Sequence, residues 1–117
     1  MSVQIVLDLT EDFNANSNVK IDTGGFDYAV VQIVSPSNSV IFKHSNDSGA
    51  IQSVSDGNAT SATNFVEVQG VNLADGSGVT SLAVSGLVRF QSYGRYPQLS
   101  GTAATATKVL VRLYKIH

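Results

Sequence analysis

His44, Ser45 and Asp47 lie together in the chain and supply the three residue types of a nucleophile triad. Neighbours on an extended chain project in different directions, however, and no nucleophile-elbow or oxyanion glycine pattern surrounds them. The second histidine, His117, is the last residue. Glycoside hydrolysis needs two carboxylates held across a cleft. The two glutamates are Glu11, placed in the turn after a first strand, and Glu67, placed on a strand with a solvent side, and nothing pairs them. With no cysteine, thiolate zinc sites, disulfides and cysteine nucleophiles are excluded. Asp47, Asp56 and Asp75 sit in Gly/Asn-rich loops and carry oxygen ligands suited to calcium. They lack the alternating Asp-x-Asp spacing of a dedicated loop, and aspartates in turns commonly serve their own backbone. The expectation is a protein without catalytic residues, metal or cofactor.

Tyr93-Gly94-Arg95-Tyr96 is of another kind. Tyr and Arg dominate binding hot spots because they offer large area and directed hydrogen bonds at low entropic cost. The alternative is a tyrosine packed over a strand crossover with Arg95 as a solvated flank. Together with Val3 and Ile5 of the first strand, residues Tyr93, Arg95 and Tyr96 form the candidate interaction surface.

At 117 residues the chain has the size of one domain, spanning 1–117, that holds a core without staples. Charged residues are 14% of it, against about 25% in typical soluble domains, and Ser, Thr, Asn and Gly take their place. A polar, sparsely charged surface suits coverage by another protein. The net charge of −2 gives no basic footprint for nucleic acid or anionic lipid. The first residues lack the basic region and long apolar run of a signal peptide or membrane anchor, so synthesis in a cytoplasm without export is expected.

Apolar residues recur with period two, the mark of half-buried strands. Val3, Ile5, Leu7 and Leu9 alternate with polar residues, and Val19 and Ile21 follow before the turn at Gly24-Gly25. Residues 26–34 are apolar on both faces in their second half, as in a central strand. Ser35-Pro36-Ser37-Asn38 is turn chemistry that predicts a hairpin with residues 39–44. A polar stretch over 45–63 reads as a functional excursion. Strands are expected at 64–71, 79–84 and 86–90. Pro97 places Gln98-Leu99 on an edge or at a bulge. Residues 103–116 read as one long final strand, small residues first. The pattern predicts an all-β fold: a single antiparallel β-sandwich or jelly roll of about eight or nine strands.

Several of these pieces, taken in order, resemble a known group. A β-branched strand (Tyr28 to Ile33) is followed by Val40-Ile41-Phe42-Lys43-His44-Ser45-Asn46-Asp47, then Gly94-Arg95-Tyr96, then Gly101-Thr102-Ala103-Ala104-Thr105-Ala106-Thr107 leading into Val109-Leu110-Val111-Arg112. This progression resembles the small β-sandwich proteins of tailed-phage virions, most closely capsid decoration (cement) proteins. It departs from them in having no Trp and in running from Tyr96 into Pro97. The resemblance implies a non-enzymatic virion protein on the outer capsid surface, synthesised in the host cytoplasm. Its partner would be the major capsid protein lattice, and its assembly a homotrimer. Neither nucleic acid nor membrane is implied as a partner. Residues 2–9 and 11–17 would touch the capsid or a neighbouring subunit. The alternative is a glycan-binding or adhesin module of a tail or head fibre, with the 45–63 loop and the Tyr93/Arg95/Tyr96 patch as its sugar platform.

Overall fold

The computed structural model describes residues 2–24, 26–47, 63–91 and 95–116, with side chains from Gln4 onward. Most of the 45–63 excursion therefore lies outside the described residues, as do Asp56, Tyr93 and His117. The elements are β1 (Ser2–Asp8), α1 (Thr10–Asn16), β2 (Asn18–Lys20), β3 (Tyr28–Val34), β4 (Val40–Ser45) and β5 (Val66–Glu67). After them come β6 (Gly70–Asn72), β7 (Gly78–Val79), β8 (Ser81–Leu82), β9 (Gly86–Phe90), β10 (Tyr96–Ser100) and β11 (Lys108–Ile116).

Two antiparallel sheets pack as a sandwich. One has six strands in the order β1-β11-β3-β9-β6-β7; the other runs β2-β10-β4-β5, with β8 also paired to β4. Alternation decides which residues meet between them. From the six-stranded sheet Ala29, Val31, Ile33, Val88, Val109, Val111 and Leu113 are buried. Val19, Val40, Phe42, Leu82 and Leu99 face them from the other sheet, and Phe13 of α1 closes one side. The Phe42 and Phe90 rings meet edge to face across the gap, with centroids 5.2 Å apart.

Several expectations are corrected. The turn at 35–38 does not close a hairpin, because β3 lies in one sheet and β4 in the other. Turn chemistry reverses the chain, but burial of Val40 and Phe42 against the opposite sheet decides where it goes. Ser35, at φ 50°, takes the left-handed backbone this arch requires. The expected strands at 64–71 and 79–84 each divide between the sheets: β5 and β8 pair with β4, while β6 and β7 extend the six-stranded sheet beyond β9.

Pro97 is not on an edge strand, since β10 lies between β2 and β4. Its carbonyl accepts the Ile21 N–H, so its missing donor falls on that same side, just past the last ladder pair, Gln98 with Lys20. The absent N–H thus costs no ladder bond.

Residues 103–107 are not strand either. They carry the chain from one sheet to the other across the end of the sandwich. Small residues suit that path: Ala104 and Ala106 are buried, and a Cβ on Gly101 would stand 2.9 Å from the Ser39 carbonyl oxygen. Side chains replace the missing ladder. The Asn14 amide donates to the Ala106 carbonyl and accepts the Ala106 N–H, both at 2.9 Å. The Ser17 hydroxyl donates to the Ala104 carbonyl, and the Ser37 hydroxyl accepts the Thr105 N–H. Replacing Asn14 with Ala strands a backbone donor and acceptor in a partly buried seam. Asn14→Ala is therefore expected to lower unfolding free energy by about 1–3 kcal/mol, measured by urea denaturation.

Candidate interaction face

In a two-layer sandwich the outward face of each sheet is ordinarily polar. The five-stranded sheet follows that rule, presenting Asn18, Lys20, Lys43 and Gln98 outward, with the Gln98 amide donating to Asn18 Oδ1. The six-stranded sheet does not. The registers align its outward side chains in rungs. One rung runs Val6, Arg112, Val30, Arg89, Val71 across five strands. The next runs Asp8, Leu110, Gln32, Leu87, with Leu73 beside Leu87. At the β1 side, Tyr28 and Tyr114 stack with centroids 4.4 Å apart. Val6 is 48% exposed, Leu73 44% and Leu87 41%. These rims enclose a groove lined by Val30, Gln32, Leu110 and Arg112. Contiguous apolar surface of this kind marks an interaction site.

Charge on this face is uneven. Asp8 is held below the ordinary carboxylate range by the Thr10 hydroxyl and N–H, and Lys108 lies 3.7 Å away. Arg112 donates to Gln4 Oε1. Arg89 Nε is buried with no hydrogen-bond partner among the described residues. The face therefore carries two guanidiniums and one carboxylate, the latter paired. The β1 strand is also the sheet's edge, its outer side pairing with no strand among the described residues.

The residues singled out from sequence fall elsewhere. Ile5 is on β1, exposed at the sheet edge; the Val3 side chain and Tyr93 lie outside what the structure describes. Arg95 and Tyr96 belong to the other sheet, so the five do not make one surface. Arg95 acts as a clasp. Its Nε is 2.9 Å from Oδ1 of buried Asp22, its N–H donates to Asn46 Oδ1, and its carbonyl accepts from the Thr23 N–H and hydroxyl. The bond to Asp22 and that carboxylate's charge keep the guanidinium more firmly protonated than usual. Tyr96 is 6% exposed because Phe65 packs over it, so its ring is not presented to solvent. The outward rungs were missed because residues 108–116 were read for their inward members alone. The signal was there: residues 26–34 are apolar on both faces.

With the geometry in place, known proteins can be compared. No family model matches the chain, and no curated protein matches it. One solved fold does. The crystal structure of the SPBc2 prophage-derived protein YomS superposes with a TM-score of 0.62, at 14% identity, covering 97% of this chain and 93% of that one. At that identity the likeness to YomS establishes a common fold, and its coverage takes in both sheets.

The sequence-adjacent trio does not converge. His44 is not an exposed strand-end residue. It is 6% exposed and turns inward, its ring 5.1 Å from that of Phe90. Ser45 points to the opposite face, and its hydroxyl donates to the Thr63 carbonyl while accepting the Asp47 N–H. Asp75 is held by the Ser77 hydroxyl and N–H, which lower its pKa. Among the described residues no cluster of three His, Asp or Glu could hold a metal.

Burial drives the His44 pKa from 6.5 down to about 4. The unfolded chain takes up a proton near 6.5 and the folded one only near 4, so the stability gained by keeping His44 neutral is full above 6.5 and is lost as pH falls through that window. The native protein is expected to lose about 2 kcal/mol of unfolding free energy between pH 7 and pH 5. His44→Phe should remove most of that dependence, read from urea curves at the two pH values.

Proposed function

We propose that this chain is a non-enzymatic structural protein of a tailed-phage virion, a capsid decoration protein that binds the assembled major capsid protein lattice as a homotrimer. The observation that carries the reading is the outward face of the six-stranded sheet. An apolar second face on a sandwich of this size calls for another protein to cover it. The shared fold with a prophage-derived protein supports placing that partner in a virion.

A protein that binds the assembled lattice and not its free subunits stabilises the lattice by mass action. Three joined copies engage three lattice sites, so modest contacts add through effective concentration. The rigid scaffold favours this, because the face sits on paired strands whose side chains lose little freedom on docking. The sugar-platform alternative draws no support from Tyr96, whose ring Phe65 covers.

Truncation of the first residues is a poor test, because Phe13 is fully buried and its loss opens the core. A point change on the face is better. Leu87→Lys is expected to shift stability by less than about 0.5 kcal/mol, as for surface changes generally. It should lower retention on assembled capsids, read by co-sedimentation, at least about tenfold. Unchanged retention with an intact fold would remove this face from the proposed function.

A further inference from the structure

We propose that the outward face of the six-stranded sheet is covered by a second copy of this chain, which seats the first turn of its α1, with Glu11 and Asp12, against Arg89 and Arg112. The inference rests on the homotrimer reading and names the contact that would build it.

The argument is one of charge left over on the same chain. On the central rung Arg89 and Arg112 flank Val30 in an apolar setting. Arg89 makes no hydrogen bond or ion pair among the described residues, and its Nε is shielded from water. A shielded donor without an acceptor is costly, and an incoming carboxylate relieves that cost. Glu11 and Asp12 are the mirror case. They are exposed in the first turn of α1, and their side chains join no ion pair or hydrogen bond among the described residues. No basic residue follows in the helix's last turn.

The two features cannot satisfy each other within one copy, because β1 and its pairing with β11 hold α1 at the end of the sandwich while the rung faces outward. Between copies they can. Two outward faces stacked on one another would instead bring guanidinium against guanidinium, which disfavours a two-fold contact through this face. A contact between two different surfaces is head-to-tail, the kind that closes into a ring. The apolar rims at Val6, Leu73 and Leu87 would supply area, and the carboxylate–guanidinium pairs the register.

The test is light scattering behind size exclusion on the full chain, with a thermal melt to check folding. Wild type is expected at three chain masses. Arg89→Glu, and separately the pair Glu11→Arg with Asp12→Arg, should each weaken assembly at least about tenfold. Combining all three substitutions should restore it. Because Arg89 is partly buried, Arg89→Gln is measured alongside and should weaken assembly in the same direction. A wild type at one chain mass throughout the micromolar range overturns both the inference and the homotrimer reading. An assembly that ignores the Arg89 variants, or responds to them but not to reversal of Glu11 and Asp12, overturns the inference alone. So does an Arg89→Glu chain that stays assembled but no longer sediments with capsids, which would place the lattice on this face.

Discussion

The register of β11 between β1 and β3 sets the rest of the structure. Its period of two sends Val109, Val111 and Leu113 into the core and Leu110, Arg112 and Tyr114 out of it. A slip by one residue would exchange the two sets. Because β3 and β1 pair with it along their full length, the choice made on β11 is passed across the sheet, rung by rung, as far as β6. One buried face thereby creates one outward face, and the composition of the second follows from the demands of the first.

That linkage explains an asymmetry between the sheets. The five-stranded sheet spends its outward positions on Asn, Lys and Gln that bond to one another or to solvent. The six-stranded sheet places Val6, Val30, Leu87 and Leu110 there, with arginines set among them. Nothing in the sandwich itself needs those apolar residues. Their presence makes sense for a molecule whose working surface is a rigid strand face, and this is the physical ground of the proposed role.

Residues that look functional in sequence often stabilise instead. Arg95 and Tyr96 have the side chains of a hot spot, yet Arg95 ties Asp22, Thr23 and Asn46 together and Tyr96 lies under Phe65. The Gly101–Thr107 stretch, strand-like in composition, is a crossing held by Asn14, Ser17 and Ser37. In each case the deciding partner is distant in sequence, Asn14 and Ala106 being 92 residues apart. No local pattern can register a hydrogen bond of that separation.

The sequence by itself determined the two-layer β fold, the strand positions at 28–34, 40–45, 86–90 and 108–116, and the inward members of those strands. Period-two burial is a local property that each strand carries alone. It also marked residues 26–34 as apolar on both sides, the one visible hint of the interaction face. Only the tertiary structure decided which strands share a sheet, that β3 and β4 part company at Ser35, and that His44 turns inward. It alone aligned Val6, Arg112, Val30, Arg89 and Val71 on one rung. Each of these depends on which residues, far apart along the chain, are brought to opposite positions in a ladder. That choice is made by the packing of whole faces, not by any residue's own neighbours.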